Sequence, residues 1–141
     1  MTNASVFHWP VRVYYEDTDA GGIVYYAKYL HFFERARTEW LRSFGVEQHA
    51  LLRDTGLGFA VRSAQVDYRK PARLDDELRI VSAIIGLGRA QIMFGQHAER
   101  NGEVLVDAKV RVACFDPVRG TPAAMPKDIY LQLQTLSGTP A

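Results

Sequence analysis

The run Tyr14-Tyr15-Glu16-Asp17-Thr18-Asp19-Ala20-Gly21-Gly22-Ile23-Val24-Tyr25-Tyr26 is where the chain passes from one periodicity to another. Before it, His8 to Glu16 alternates as a strand does, with Trp9, Val11, Val13 and Tyr15 on one face and Arg12, Tyr14 and Glu16 on the other. After it, from about Val24 to Phe44, the period becomes helical. Tyr26, Tyr29, Leu30, Phe33, Ala36, Trp40, Leu41 and Phe44 form an apolar stripe, and polar residues occupy most of the remainder. Arg35 and Glu39 are four apart and placed to pair. Gly45 is placed to stop the helix in the left-handed conformation. Asp17 to Gly22 is therefore expected to form a loop. It carries acids to the start of a helix, where backbone N–H groups lack intrahelical partners.

Downstream, a short helix over about Glu47 to Arg53 is expected to end near Gly56. Strands are expected over Phe59 to Tyr68, Glu77 to Ile85, Ala90 to Glu99 and Val104 to Phe115. Arg69 to Arg73 reads as a turn, Gly86-Leu87-Gly88-Arg89 as a hairpin connection, and Asn101-Gly102 as a tight turn. Asp116-Pro117 ends the last strand. Pro126 opens a C-terminal helix that runs to about Leu136, and Ser137 to Ala141 reads as frayed. The expected fold class is α+β: an antiparallel sheet wrapped around one helix of about 21 residues, or ~31 Å. Such a sheet must protect its edges or its other face, and homo-oligomerisation is an ordinary means.

Composition narrows the classes. The 141 residues fit one domain covering 1–141, with 48% hydrophobic and 23% charged content, as in soluble globular chains. A formal net charge of +1 supplies no field for nucleic acid or an anionic membrane surface. The lone Cys114 fits a reducing compartment and a core position. No run approaches the roughly 18 apolar residues of a membrane span. Met1 to Trp9 lacks the pattern of a signal peptide, so a cytoplasmic location is expected.

Glu16, Asp17 and Asp19 admit three readings. As plain helix caps they would complement the dipole. As a calcium loop they fail, because Gly21 and Ile23 occupy the next ligand positions and no bidentate Glu follows. As a catalytic turn they gain from Gly21-Gly22, which let a backbone approach a ligand closely. Asp19 would then attack a carbonyl or activate water, and N–H groups at Tyr25 or Tyr26 would receive the oxyanion.

The run Arg12 to Tyr25, with Tyr29, Glu34-Arg35-Ala36-Arg37-Thr38-Glu39, Pro71-Ala72-Arg73-Leu74-Asp75-Asp76 and Asp116-Pro117, resembles the small acyl-CoA thioesterases of the hotdog fold. Within these it is similar to the Tol-Pal-associated group of the 4-hydroxybenzoyl-CoA thioesterase family. That resemblance implies hydrolysis of acyl-CoA without a metal or other cofactor, by a homotetramer (dimer of dimers) or homodimer. It places the catalytic aspartate on Asp19, the carbonyl-polarising N–H on Tyr26 and a site tyrosine on Tyr15. Gly22 and Tyr25 fall in the substrate-binding turn. One departure stands out: the Tol-Pal type usually has histidine where this chain has Tyr26. Arg89 matches a basic position that meets the CoA nucleotide, and Arg69, Lys70 and Arg73 form a second basic group. The thioester carrier is CoA, with acyl carrier protein as a further candidate. Two other functions compete: an acyl-carrier dehydratase using Glu34, which lacks the histidine that chemistry needs, and a non-catalytic acyl-binding or scaffold subunit of an envelope complex. Histidines 8, 31, 49 and 97 have no metal-ligand spacing, and no serine-hydrolase elbow or dinucleotide fingerprint occurs.

Overall fold

In the computed structural model, residues 5–137 are described. The strands are β1 (Val6–Arg12), β2 (Gly58–Tyr68), β3 (Glu77–Leu87), β4 (Gln91–Arg100), β5 (Glu103–Asp116) and the two-residue β6 (Thr121–Pro122). The helices are α1 (Lys28–Ser43), α2 (Gln48–Thr55) and α3 (Lys127–Ser137). The strands form one antiparallel sheet in the order β1-β3-β4-β5-β2, with β6 added to β5. It curls around α1, as the α+β hotdog expectation requires.

The sheet's inner face is Leu78, Ile80 and Ile84 on β3, Ile92, Phe94 and Ala98 on β4, and Val106, Val110, Val112 and Cys114 on β5, all buried. Against it α1 places Tyr29, Phe32, Phe33, Ala36, Trp40 and Leu41. The helix packs on β1, β3 and β4. Phe32 and Phe33 are wholly inaccessible, and burying each side chain contributes roughly 1.5–3 kcal/mol.

Several sequence expectations hold. Gly45 ends α1 at φ +90°, Asn101 and Gly102 turn at φ 52° and 83°, and Cys114 is buried. Others need correction. The first strand stops at Arg12, because Tyr14 N–H donates to the Asp17 carboxylate (2.8 Å) and winds Tyr15–Asp17 into a single 3-10 turn. The long helix starts at Lys28 and has 16 residues. Residues 23–25 are held extended instead: Val24 N–H donates to Ala72 O (2.9 Å), Tyr25 N–H donates to Asp17 O (2.9 Å), and Ile23 bridges Arg73. Leu30 lies off the buried stripe, while Arg37 lies within it. Glu39 pairs with Arg42 (3.1 Å) rather than with Arg35. Ser137 is a buried residue of α3 whose hydroxyl donates to Gln134 O (2.9 Å), not a frayed one; the remainder of that expected tail, 138–141, lies outside the described residues.

Because Phe33 has no exposed surface and sits at the centre of the curl, Phe33→Ala is expected to cost about 3–5 kcal/mol, read from urea-induced unfolding. A loss below about 1 kcal/mol would mean that α1 is not the core of the sheet.

Candidate active site

The acidic turn is built almost entirely from backbone. Val13 closes the end of β1 by donating to Asp76 O (2.8 Å) and accepting from Asp75 N–H (3.0 Å). The 3-10 turn follows, and then Asp19, whose N–H donates to Ile23 O (2.9 Å) while Gly22 N–H donates to Asp19 O (3.0 Å). Gly22 sits at φ +80°, which a side chain would strain, and a Cβ at Gly21 would press within 3.2 Å of Asp19 Oδ1. Gly22 is thus required by the turn's shape, and Gly21 leaves Asp19 Oδ1 room.

This geometry separates the acids. Asp17 is buried: one oxygen accepts the Tyr14 N–H, and the other lies 3.6 Å from Lys28 Nζ. Asp19 is exposed; its Oδ1 accepts the Gly21 N–H (2.8 Å), and among the described residues its Oδ2 meets no donor. One carboxylate holds the turn together, and the other is oriented by one oxygen with its second oxygen open. Glu16 is exposed beside them, and Tyr15, at 83% exposure, projects from the turn.

The two expected oxyanion donors also part company. Tyr25 N–H is consumed by Asp17 O, whereas Tyr26 N–H meets no acceptor among the described residues. Ala27, at the N-cap of α1, has no side chain to accept a helix N–H, so this helix start stays open to a ligand. Tyr26 is anchored from across the sheet: the Tyr68 hydroxyl donates to Tyr26 O (3.1 Å), and the two rings meet edge-on at 6.2 Å. Tyr25 tilts against Tyr26 at 4.9 Å, and their hydroxyl contact raises the Tyr25 phenol above its ordinary range. The Tyr29 hydroxyl accepts from Ala72 N–H (3.1 Å), and burial pushes its phenol up. Ile23, Val24, Tyr26, Tyr29, Tyr68 and Pro71 surround an open, mostly apolar cleft of about 260 Å³, with Arg69 and Lys70 at its side. Tyr68 escaped the sequence reading because it lies 42 residues from Tyr26; the alternation of β2, which puts Val66 and Tyr68 on one face, was the available signal.

The cations are less concentrated than the sequence suggested. Arg69 pairs with Asp107 and approaches Asp67 (3.8 Å), and Lys70 pairs with Glu103. Arg73 is exposed, enters no ion pair among the described residues, and is bridged through its backbone to Ile23. Arg89 stands apart from all of these, with its guanidinium 5.0 Å over the Tyr130 ring of α3. Its turn adjoins Cys114, whereas the backbone N–H groups of Arg69 and Lys70, at the side of the cleft, donate to Leu105 O of the same strand, nine residues and roughly 30 Å away.

A curled sheet around one helix, with an oriented acid and an unpartnered N–H at that helix's entrance, defines a hotdog protein of the thioesterase type. The chain belongs to the thioesterase-like superfamily, whose model matches residues 13–133. It is 49% identical over 123 residues to the acyl-CoA thioesterase YbgC of Haemophilus influenzae, covering 87% of this chain and 90% of that one. It is 45% identical over 133 residues to the acyl-CoA thioester hydrolase YbgC of Escherichia coli O6:H1, covering 94% and 98%. A probable thioesterase from Bartonella henselae superimposes with a TM-score of 0.82 at 35% identity, covering 86% of this chain and all of that one (100%).

The division of labour between the aspartates is measurable by stability. Asp17→Ala leaves the Tyr14 N–H without its acceptor and is expected to cost about 1–3 kcal/mol in urea unfolding. Asp19→Ala, which loses one exposed contact, is expected to cost no more than about 1 kcal/mol. The reverse order would assign the structural role to Asp19.

Proposed function

We propose that this protein is an acyl-CoA thioesterase in which Asp19 and the Tyr26 N–H act on the two ends of the thioester carbonyl. The observation that carries this reading is the open Asp19 Oδ2, held beside a helix entrance whose Tyr26 N–H meets no acceptor among the described residues. The carbonyl oxygen accepts the Tyr26 N–H. Asp19 either takes a proton from water, which adds to the carbonyl carbon, or adds to that carbon itself as a nucleophile. The C–S bond then breaks: in the general-base route the sulfur takes the proton held by Asp19 and leaves as the CoA thiol, and in the nucleophilic route it leaves as the thiolate, which is protonated by the water that follows. In the nucleophilic route, water cleaves the resulting anhydride. Gly22 keeps the approach clear, and Tyr15 and Tyr25 flank the bound thioester. A peptide N–H at this position needs no imidazole, so tyrosine in place of histidine at 26 leaves the polarising group intact. The two YbgC relatives support CoA as the carrier, with acyl carrier protein as the alternative donor. The run Tyr14 to Tyr26 supports a place in the Tol-Pal-associated group, and the composition of the chain supports a cytoplasmic location.

A homodimer joined through β2 belongs to the same reading, a homotetramer being two such dimers. β2 is an 11-residue edge strand exposed along most of its length, including the inner-face residues Val61 at 52% and Tyr68 at 44%, which α1 covers only in part. A long bare edge of this kind is a template for pairing. Antiparallel pairing about its centre, Ser63, sets the Gly58 end of one copy beside the Tyr68 end of the other. Arg89 of the second copy then approaches the acidic turn, from which it is remote within a single chain. Arg73 in the same chain and Arg89 in trans are the cations this reading assigns to the CoA phosphates.

Asp19→Asn is expected to lower thioester turnover by on the order of 10²–10⁴ while the fold is kept, measured as thiol release from a panel of acyl-CoAs. Near-normal turnover, with deamidation excluded by mass spectrometry, would remove Asp19 from the chemistry. Val61→Asp places a charge in the paired edge of each copy and is expected to convert a dimer to a monomer in sedimentation velocity, with turnover falling in step. A parent protein that sediments as a monomer and still turns over would overturn the β2 pairing.

A further inference from the structure

A second cavity opens between α1 and β2, about 230 Å³ in volume, with walls from Leu41, Val61, Ile92 and Phe94 and with the polar Thr38 and Gln48 on one side. Arg37 lines it. The side chain is buried, at 7% exposure, yet only Nη1 is bonded, donating to Gln96 Oε1 (2.9 Å). Among the described residues Nε and Nη2 meet no acceptor, and no carboxylate lies within ion-pair distance. Gln96 is itself fixed, its Nε2 donating to Ser82 Oγ (2.9 Å) and Phe33 O (3.0 Å). The guanidinium carbon lies 5.9 Å from the Phe94 ring centre. Glu34 stands exposed on the rim, where it accepts a long bond from Thr38 Oγ1 (3.4 Å).

A guanidinium that is 7% exposed, makes one hydrogen bond and keeps its other two nitrogens accessible from the cavity does more than tie a helix to a sheet. Burying a charge costs several kcal/mol unless it is paired and bonded, and a neutral donor would satisfy Gln96 equally well. Burial lowers Arg37 to about 10 even with Glu34 nearby, which still leaves it charged at neutral pH. What a guanidinium does that a neutral donor does not is present a planar fork to a carboxylate. Mostly apolar walls with a cation inside match a ligand with a methylene body and an anionic tip.

We propose that this cavity receives the far carboxylate of a dicarboxylic acyl group whose thioester lies at Asp19. The inference rests on the thioesterase reading and on the β2-paired dimer. Within one chain the cavity lies beside Phe59, Ala60 and Val61, toward the opposite end of β2 from Tyr68. In the antiparallel pair that stretch faces the Tyr68 end of the second copy, so each Arg37 serves the partner's acidic turn. The carboxylate binds Nε and Nη2 side by side while Nη1 stays on Gln96.

The test compares adipoyl-CoA with hexanoyl-CoA, which share a six-carbon acyl chain and differ in the terminal group. The parent protein is expected to show the higher kcat/KM on adipoyl-CoA. In Arg37→Met the adipoyl-to-hexanoyl ratio is expected to fall by about tenfold or more, as when a charged hydrogen-bonding partner is lost. Equal losses on both substrates in a folded Arg37→Met protein would show that Arg37 only pins α1 and would overturn the proposal. So would a parent protein that prefers hexanoyl-CoA, a result that needs no variant. Hydrolysis of neither thioester by the parent would instead mark failure of the thioesterase reading itself.

Discussion

One helix has to cover a sheet that is wider than itself. Five strands spaced ~4.8 Å apart span roughly 19 Å between the outer two, whereas a helix with its side chains is about 10–12 Å across. α1 resolves this by lying over β1, β3 and β4, where its aromatic side is buried, and by covering the inner face of β2 only in part, so that Val61 and Tyr68 stay exposed. The Tyr26–Tyr68 cleft and the Arg37 cavity both lie along the resulting gap between α1 and β2. The same shortage leaves open space along that edge of the fold.

At the head of that gap the chain makes a second economy. Three acids within four residues would repel one another if all faced the same opening. The structure buries Asp17 against a backbone N–H and Lys28, orients Asp19 by one oxygen, and leaves Glu16 in water. Asp17 also contributes its carbonyl, which takes the Tyr25 N–H. That bond delays the helix to Lys28 and leaves the next N–H, that of Tyr26, without an acceptor among the described residues. A residue with no part in the proposed chemistry therefore sets which donor serves it.

The strands and turns were legible because their signals are local. Alternation marked β5, Asn101-Gly102 marked its hairpin, and Gly45 marked the end of α1. The acidic turn was legible for a different reason: glycines, acids and a helix start occur there in immediate succession. The start of α1 was misread because Val24 and Tyr25 are compatible with a helix on their own. Their amides are instead held by Ala72 and Asp17, and the Ala72 partner lies 48 positions away, beyond the reach of any periodicity.

By itself the sequence determined the α+β class, the strand and helix order, the turn residues and the identity of Asp19 as the acid to examine, since each depends on neighbours within a few positions. Only the tertiary structure decided that Asp17 is structural, that Tyr26 N–H is the donor left over, that Tyr68 joins the site, and that Arg37 is buried beside a cavity with two of its nitrogens unpartnered. Those facts depend on which strand curls over which part of α1, and hence on pairs 42 and 59 positions apart. A charged residue on a helical wheel looks solvated until the sheet that covers it is in place.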